Sequence, residues 1–100
     1  MPNIMVFGRL SFKVSDQIAR IVLGLGISPA DVILTEMPEA IITDLTNRDM
    51  PYLVVRDTDS ERCQEIARAL NQELNVDVEV EVITDFFPKR GEVFSKQEPE

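Results

Sequence analysis

Residues 76–82 read VDVEVEV, an unbroken alternation of aliphatic and acidic side chains, and Ile83 follows. In an extended chain successive side chains point to opposite faces. Val76, Val78, Val80 and Val82 therefore line one face, and Asp77, Glu79 and Glu81 line the other. A strand with one dry and one wet face belongs in a sheet that is covered on one side only. The rest of the chain has to supply that cover.

Helical periodicity supplies it twice. Cys63, Ile66, Ala67, Leu70 and Leu74 fall on one face of a helix, while Glu61, Arg62, Glu65, Arg68 and Gln72 face water. Thr58 and Glu61 have the spacing of a capping box at its start, and Asn75 is its expected end. Earlier in the chain Val14, Ile18, Ile21, Val22 and Leu25 make a second apolar stripe. Ser11 or Ser15 can cap it, and Gly26 is its stop.

Strand candidates flank both helices. NIMVF at 3–7 and PYLVVR at 51–56 are rich in strong β-formers. VILTEM at 32–37 reads as a buried strand closed by Pro38. Residues 39–50 read as a linker in which Ile41 and Ile42 form a short extra strand. The order is β-α-β followed by β-α-β. Each such unit favours a right-handed crossover between parallel strands. The expected fold is α/β (α+β): duplicated β-α-β units in a four-stranded mixed sheet, with two helices on one face. The domain spans 1–94, its halves are about 1–38 and 50–87, and 95–100 form a disordered tail.

Three patches recur at a nearly constant offset. Met1-Pro2 matches Met50-Pro51, DQIAR (16–20) matches QEIAR (64–68), and LTEM (34–37) matches ITDF (83–86). Matches in strand, helix and strand argue for a duplicated unit.

Composition narrows the function. The net charge is -8, which repels nucleic acid and anionic lipid at long range. There is no basic run and no zinc spacing, so neither nucleic acid nor metal is expected as a partner, and no cofactor is implied. The longest apolar stretch, IVLGLGI at 21–27, is too short to span a membrane. No secretory signal pattern opens the chain. Cys63 is the single cysteine, which fits a reducing compartment, and the expected location is cytoplasmic. Histidine is absent, which removes the commonest general base.

The opening MPNIMVFGR, followed by the β-α-β order and by ISPADVILTEMP, resembles the tautomerase superfamily, the group of oxalocrotonate tautomerase and macrophage migration inhibitory factor. In that family the initiator methionine is removed and the exposed proline acts as base or nucleophile. The resemblance implies that Pro2 is the catalytic base, acting on a small keto or enol acid. It implies that Arg9, in a Gly-Arg pair after the first strand, and Arg56, at the end of the third, bind the substrate carboxylate. Phe86, with Phe87, would line the pocket. It also implies a homotrimer in which three sheets pack their open faces together.

The chemistry is coherent. A terminal proline nitrogen is a secondary amine that can take a proton alpha to a carbonyl. Burial and nearby cations lower its pKa toward neutrality. Guanidinium groups bind carboxylate and stabilise enolate charge. Two alternatives stay open: a ferredoxin-like binding or regulatory module without chemistry, and an inactive protein of the tautomerase fold. Bland roles stand beside the sharp ones: Cys63 as a packed small hydrophobe, Arg9 and Arg56 as strand-end surface residues, and the acidic stripe as a solvated or intersubunit sheet face.

Overall fold

The computed structural model describes residues 2–8, 10, 13–37, 51–83 and 88–97. Arg9, Ser11, Ile41, Ile42, Phe86 and Phe87 lie outside the described residues. The elements in order are β1 (Asn3–Phe7), α1 (Val14–Gly24), a short 3-10 turn at Pro29–Asp31, β2 (Ile33–Met37), β3 (Tyr52–Asp57), α2 (Ser60–Leu74), β4 (Asp77–Ile83) and β5 (Pro88–Phe94).

They build one mixed sheet of five strands in the order β2-β1-β3-β4-β5. β1 runs parallel to β2, and β3 runs parallel to β4. The two pairs meet antiparallel across β1 and β3, with Asn3 opposite Arg56 and Phe7 opposite Tyr52. Each helix thus connects two strands that are direct neighbours. In a split β-α-β arrangement of the ferredoxin-like kind, a strand of the other unit would lie between them. The ferredoxin-like alternative is therefore not the topology of this sheet.

The alternation at 76–82 does what its pattern demands. Val76, Val78 and Val80 are buried with Ile4, Val6, Leu53 and Val55 under the helices. α1 adds Val14, Ile18 and Val22, and α2 adds Cys63, Ile66, Ala67 and Leu70. On the other face Asp77, Glu79 and Glu81 are half-buried beside Val54 and a stacked Phe7–Tyr52 pair, with ring centroids 4.8 Å apart.

Four expectations are corrected. The sheet has five strands, not four. β5 pairs antiparallel with β4 and carries a bulge opposite Val80, where Glu79 faces Val93 but Glu81 faces Arg90. VILTEM is not a buried strand: β2 is an edge strand, and Ile33 on it is 47% exposed. The α2 cap is Asp59, whose side chain accepts from the Arg62 N–H, and not Thr58. The N-cap of α1 is Lys13, without a side-chain hydrogen bond, so Ser15 does not cap it.

The repeat also shifts register. Asn3 pairs with Ile33, 30 residues on, whereas Tyr52 pairs with Asp77, only 25 residues on. Pro2 and Pro51 each precede a strand, and the helix patches occupy corresponding places: Ile18 and Ile66 are both buried, and Arg20 and Arg68 both exposed. LTEM and ITDF do not. Leu34 faces Ile4 inside the sheet, while Ile83 lies at the far end of β4, opposite Pro88. The extra length of the first unit is taken up between α1 and β2, by Gly26 (φ 81°) and the 3-10 turn. The second unit turns more tightly, through Asn75 in the left-handed region.

Part of the expected tail is bound. Asn71 Nδ2 donates to Ser95 O (2.9 Å), the Lys96 N–H to Asp77 Oδ1 (2.6 Å) and the Gln97 N–H to Asn75 Oδ1 (3.0 Å).

Candidate functional site

Pro2 precedes β1, where its missing N–H leaves no gap in the ladder. It is fully buried, with less than 2% of its surface exposed. Its carbonyl accepts the Ile33 N–H at 2.9 Å, so it is tied to the head of β2. Strand alternation puts its ring on the helix-covered face with Ile4 and Val6.

Arg56 is on the opposite, open face. Its Nη2 donates to both carboxylate oxygens of Glu81, at 3.1 and 3.0 Å. The pair is partly exposed, 39% and 23% respectively. Exposed pairs of this kind contribute at most about 1 kcal/mol. Arg56 Nε is buried without a hydrogen-bond partner, and so is Oδ1 of Asn3, the residue that faces it across the strands. The structure therefore puts Pro2 and Arg56 close in register but on different faces of the sheet. Of the other expected site residues, Arg9 and Phe86 lie outside the described residues.

A group that the sequence did not single out sits on the same face as Pro2. Asn3 faces Arg56 and Ile4 faces Val55, so one step further out Pro2 comes opposite Asp57. Asp57 ends β3, and its side chain has no exposed surface. Arg62, in the first turn of α2, reaches down onto it: Nε donates to Oδ2 at 2.6 Å and Nη2 to Oδ1 at 3.1 Å. The Thr58 N–H donates to Oδ1 at 2.7 Å. Burial by itself pushes the Asp57 carboxyl up. The Arg62 hydrogen bonds, the Thr58 and Asp59 N–H groups and the Arg62 charge outweigh it and hold the group below the usual carboxylate range. Arg62 is raised in turn by its bonds to Asp57, with further contributions from the charges of Asp59 and Asp31. Those contributions put Asp31, beside the head of β2, at the same end of the sheet.

Cys63 lies next to this pair, fully buried, and its Sγ donates to Val55 O at 3.1 Å. Burial pushes its thiol up, so it is a packed side chain and not a nucleophile. Sequence reasoning assigned Arg62 to the solvent face by its helical position. The signal that was available is the spacing Asp57…Arg62 across a strand end and a first helical turn.

Two of the cavities are lined by described residues. One, of about 390 Å³, is an open groove between the helices lined by Gln17, Arg20, Ile21, Leu25, Ala69 and Glu73 among others. The other, about 100 Å³, lies between α1 and β2 against Ile18, Val22, Pro29, Val32 and Leu34. Neither is lined by Pro2 or Arg56. Among the described residues no group of three or more His, Cys, Asp or Glu side chains is arranged to hold a metal ion. Among them, too, no helix is long and apolar enough to cross a membrane.

No protein-family model matches this sequence, and no curated protein matches it.

Proposed function

We propose that the chain is a tautomerase-like subunit in which Pro2, freed by removal of Met1, transfers a proton on a small keto or enol acid. The observation that carries this reading is the setting of Pro2. It is fully buried at the head of the central strand pair, and its carbonyl is fixed by Ile33. A secondary amine held this rigidly meets the positioning requirement of proton transfer. The two parallel strand pairs, joined antiparallel through β1 and β3, agree with a doubled β-α-β unit. Self-association, as a homotrimer, goes with this reading. Its support is the sheet face that neither described helix covers, where Phe7, Tyr52 and Val54 lie between the edge-strand residues Ile33 and Val93, the latter two each 47% exposed.

A second reading, an inactive assembly module of the same fold, is favoured by Arg56. Its guanidinium is already engaged by Glu81. Intact mass and phenylpyruvate enolisation separate the two readings. The enzymatic reading requires loss of Met1 and a rate that collapses in Pro2→Ala. Equal rates for the two proteins would leave only the assembly module. Sedimentation addresses the oligomer, and a monomer at high concentration would remove the trimer.

A further inference from the structure

We propose that Asp57 is the positioning carboxylate of the Pro2 nitrogen and holds it as a cation at neutral pH. This rests on the reading that Pro2 becomes the terminal residue. The register brings Asp57 opposite Pro2, and both are buried on the helix-covered face. Among the described residues, the charged groups at this end of the sheet include Asp31 before β2, Asp57 on β3, and Asp59, Glu61 and Arg62 at the start of α2. Arg62 is the one cation among these described groups, and both of its bonds go to Asp57. Cys63, neutral by burial, adds no charge. Arg56 and Glu81 are on the opposite face and neutralise each other. The amino end of α2 contributes a partial positive charge, about half a unit. For the amine to be held as a cation, the Asp57 carboxylate must outweigh both this partial charge and the burial of the amine.

This reverses the electrostatics expected for a neutral base. A nearby guanidinium would lower an amine pKa. A carboxylate within about 4–6 Å raises it, by ~1–3 units. Burial acts the other way and disfavours the charged amine. With the carboxylate dominant, the Pro2 nitrogen titrates above the N-terminal proline of an unstructured peptide, and the free base is the minor species at neutral pH. Pro2 is thus set to hold and deliver a proton. Its action as a base grows with pH, so enolisation should climb through an alkaline inflection. Asp57 does this without touching substrate.

The test is a titration of the Pro2 amine by NMR, with labelled proline, on full-length protein whose first residue is Pro2 as verified by mass. The expected midpoint lies ~1–3 units above that of the N-terminal proline in an unstructured peptide of the same first residues. Asp57→Asn should lower it by about 1 unit or more, because Arg62 is left as the nearest charge. Arg62→Gln, at a side chain that is 37% exposed, should move it the other way. Opposite displacements are not produced by general loosening of the fold. A wild-type midpoint at or below the peptide value, or an Asp57→Asn midpoint that stays put, overturns the proposal. If Asp57→Asn does not fold, the absence of an upward move in Arg62→Gln does so. The outcomes stay distinct from the fate of the enzymatic reading. A raised midpoint without enolisation sinks that reading alone, and enolisation with an unshifted amine sinks this one alone.

Discussion

Gly91 tests the fifth strand, the element that the sequence did not announce. It sits in the β5 bulge, where an added Cβ would lie 2.8 Å from Val80 Cγ1 and 3.2 Å from Val80 Cβ. The shorter distance is about 0.7 Å inside the near edge of ordinary carbon–carbon contact. Val80 is 1% exposed, and a β-branched side chain has little rotamer freedom with which to retreat. Overpacking of this kind costs about 1–3 kcal/mol. Against it stands the unfolded-state gain of replacing glycine, ~0.4–1 kcal/mol, which is available because Gly91 is not at positive φ. Gly91→Ala should therefore destabilise by roughly 0.5–2 kcal/mol. In a Val80→Ala background the obstructing methyl is gone, and the same change should become neutral or stabilising, by up to about 1 kcal/mol. Urea denaturation of the four proteins gives the coupling from midpoints and slopes. Effects that add to within about 0.5 kcal/mol would refute the contact and, with it, the docking of β5 on Val80.

Three other outcomes follow from the same structure. Asp57 titrates below its ordinary value in the folded state, so its contribution to stability is present above the unfolded pKa, near 4, and is lost as pH falls through the folded one. Urea midpoints measured toward acid should drop less steeply in Asp57→Asn, and an identical slope would contradict this. Asn75 ends α2 at φ 51° and accepts the Gln97 N–H, so Asn75→Ala should cost about 1–2 kcal/mol and Asn75→Gly clearly less, by thermal or urea unfolding. Cys63 is buried and its thiol is pushed up, so a thiol reagent should label it only at the rate of opening; labelling as fast as in denaturant would show that the core is not closed.

The parts of this fold that were legible are those where one element's own pattern decides its state. The valine–acid alternation of β4 and the apolar stripe of α2 need no knowledge of neighbours, and both bury the residues expected except Leu74 and Val82, which are partly buried against the core. β5 was illegible because PKRGEVF, with a proline, a glycine and no alternation, has no strand pattern of its own; it is a strand because β4 offers an edge. VILTEM failed for the converse reason. Its apolar run suggested burial, but nothing pairs with the outer edge of β2 among the described residues. At the start of α2 the sequence Asp57-Thr58-Asp59-Ser60 offers four residues able to cap, and only the strand end decides among them. Asp57 is taken by Arg62 and the Thr58 N–H, which leaves Asp59 for the helix. The candidate site was half visible. Pro2 stood out by position, whereas its neighbour across the sheet depends on a register that no local pattern encodes.

The topology itself separates scaffold from site. β1 and β3 are equivalent inner strands, so each has a head beside the other's tail. At one end Pro2 comes opposite Asp57; at the other, by the same register, Pro51 comes opposite Gly8. Gly8 carries no side chain; at φ 92° it turns the chain away, and its N–H is taken by Met37 O at 3.0 Å. The helix starts differ in the same sense: α1 begins without a side-chain cap, whereas α2 begins with Asp59 and with Arg62 over a buried carboxylate. At the Pro51 end the register thus sets no carboxylate opposite the proline. Removing one partner of a buried ion pair is costly, while replacing both with apolar groups is often neutral. If Asp57 and Arg62 serve only the fold, the double change Asp57→Leu with Arg62→Met should restore both stability and the ordinary behaviour of the chain. If they serve the Pro2 nitrogen, the double variant should fold yet lose the alkaline displacement of the proline amine. A double variant that folds and keeps a raised amine midpoint would refute the separation of the two roles.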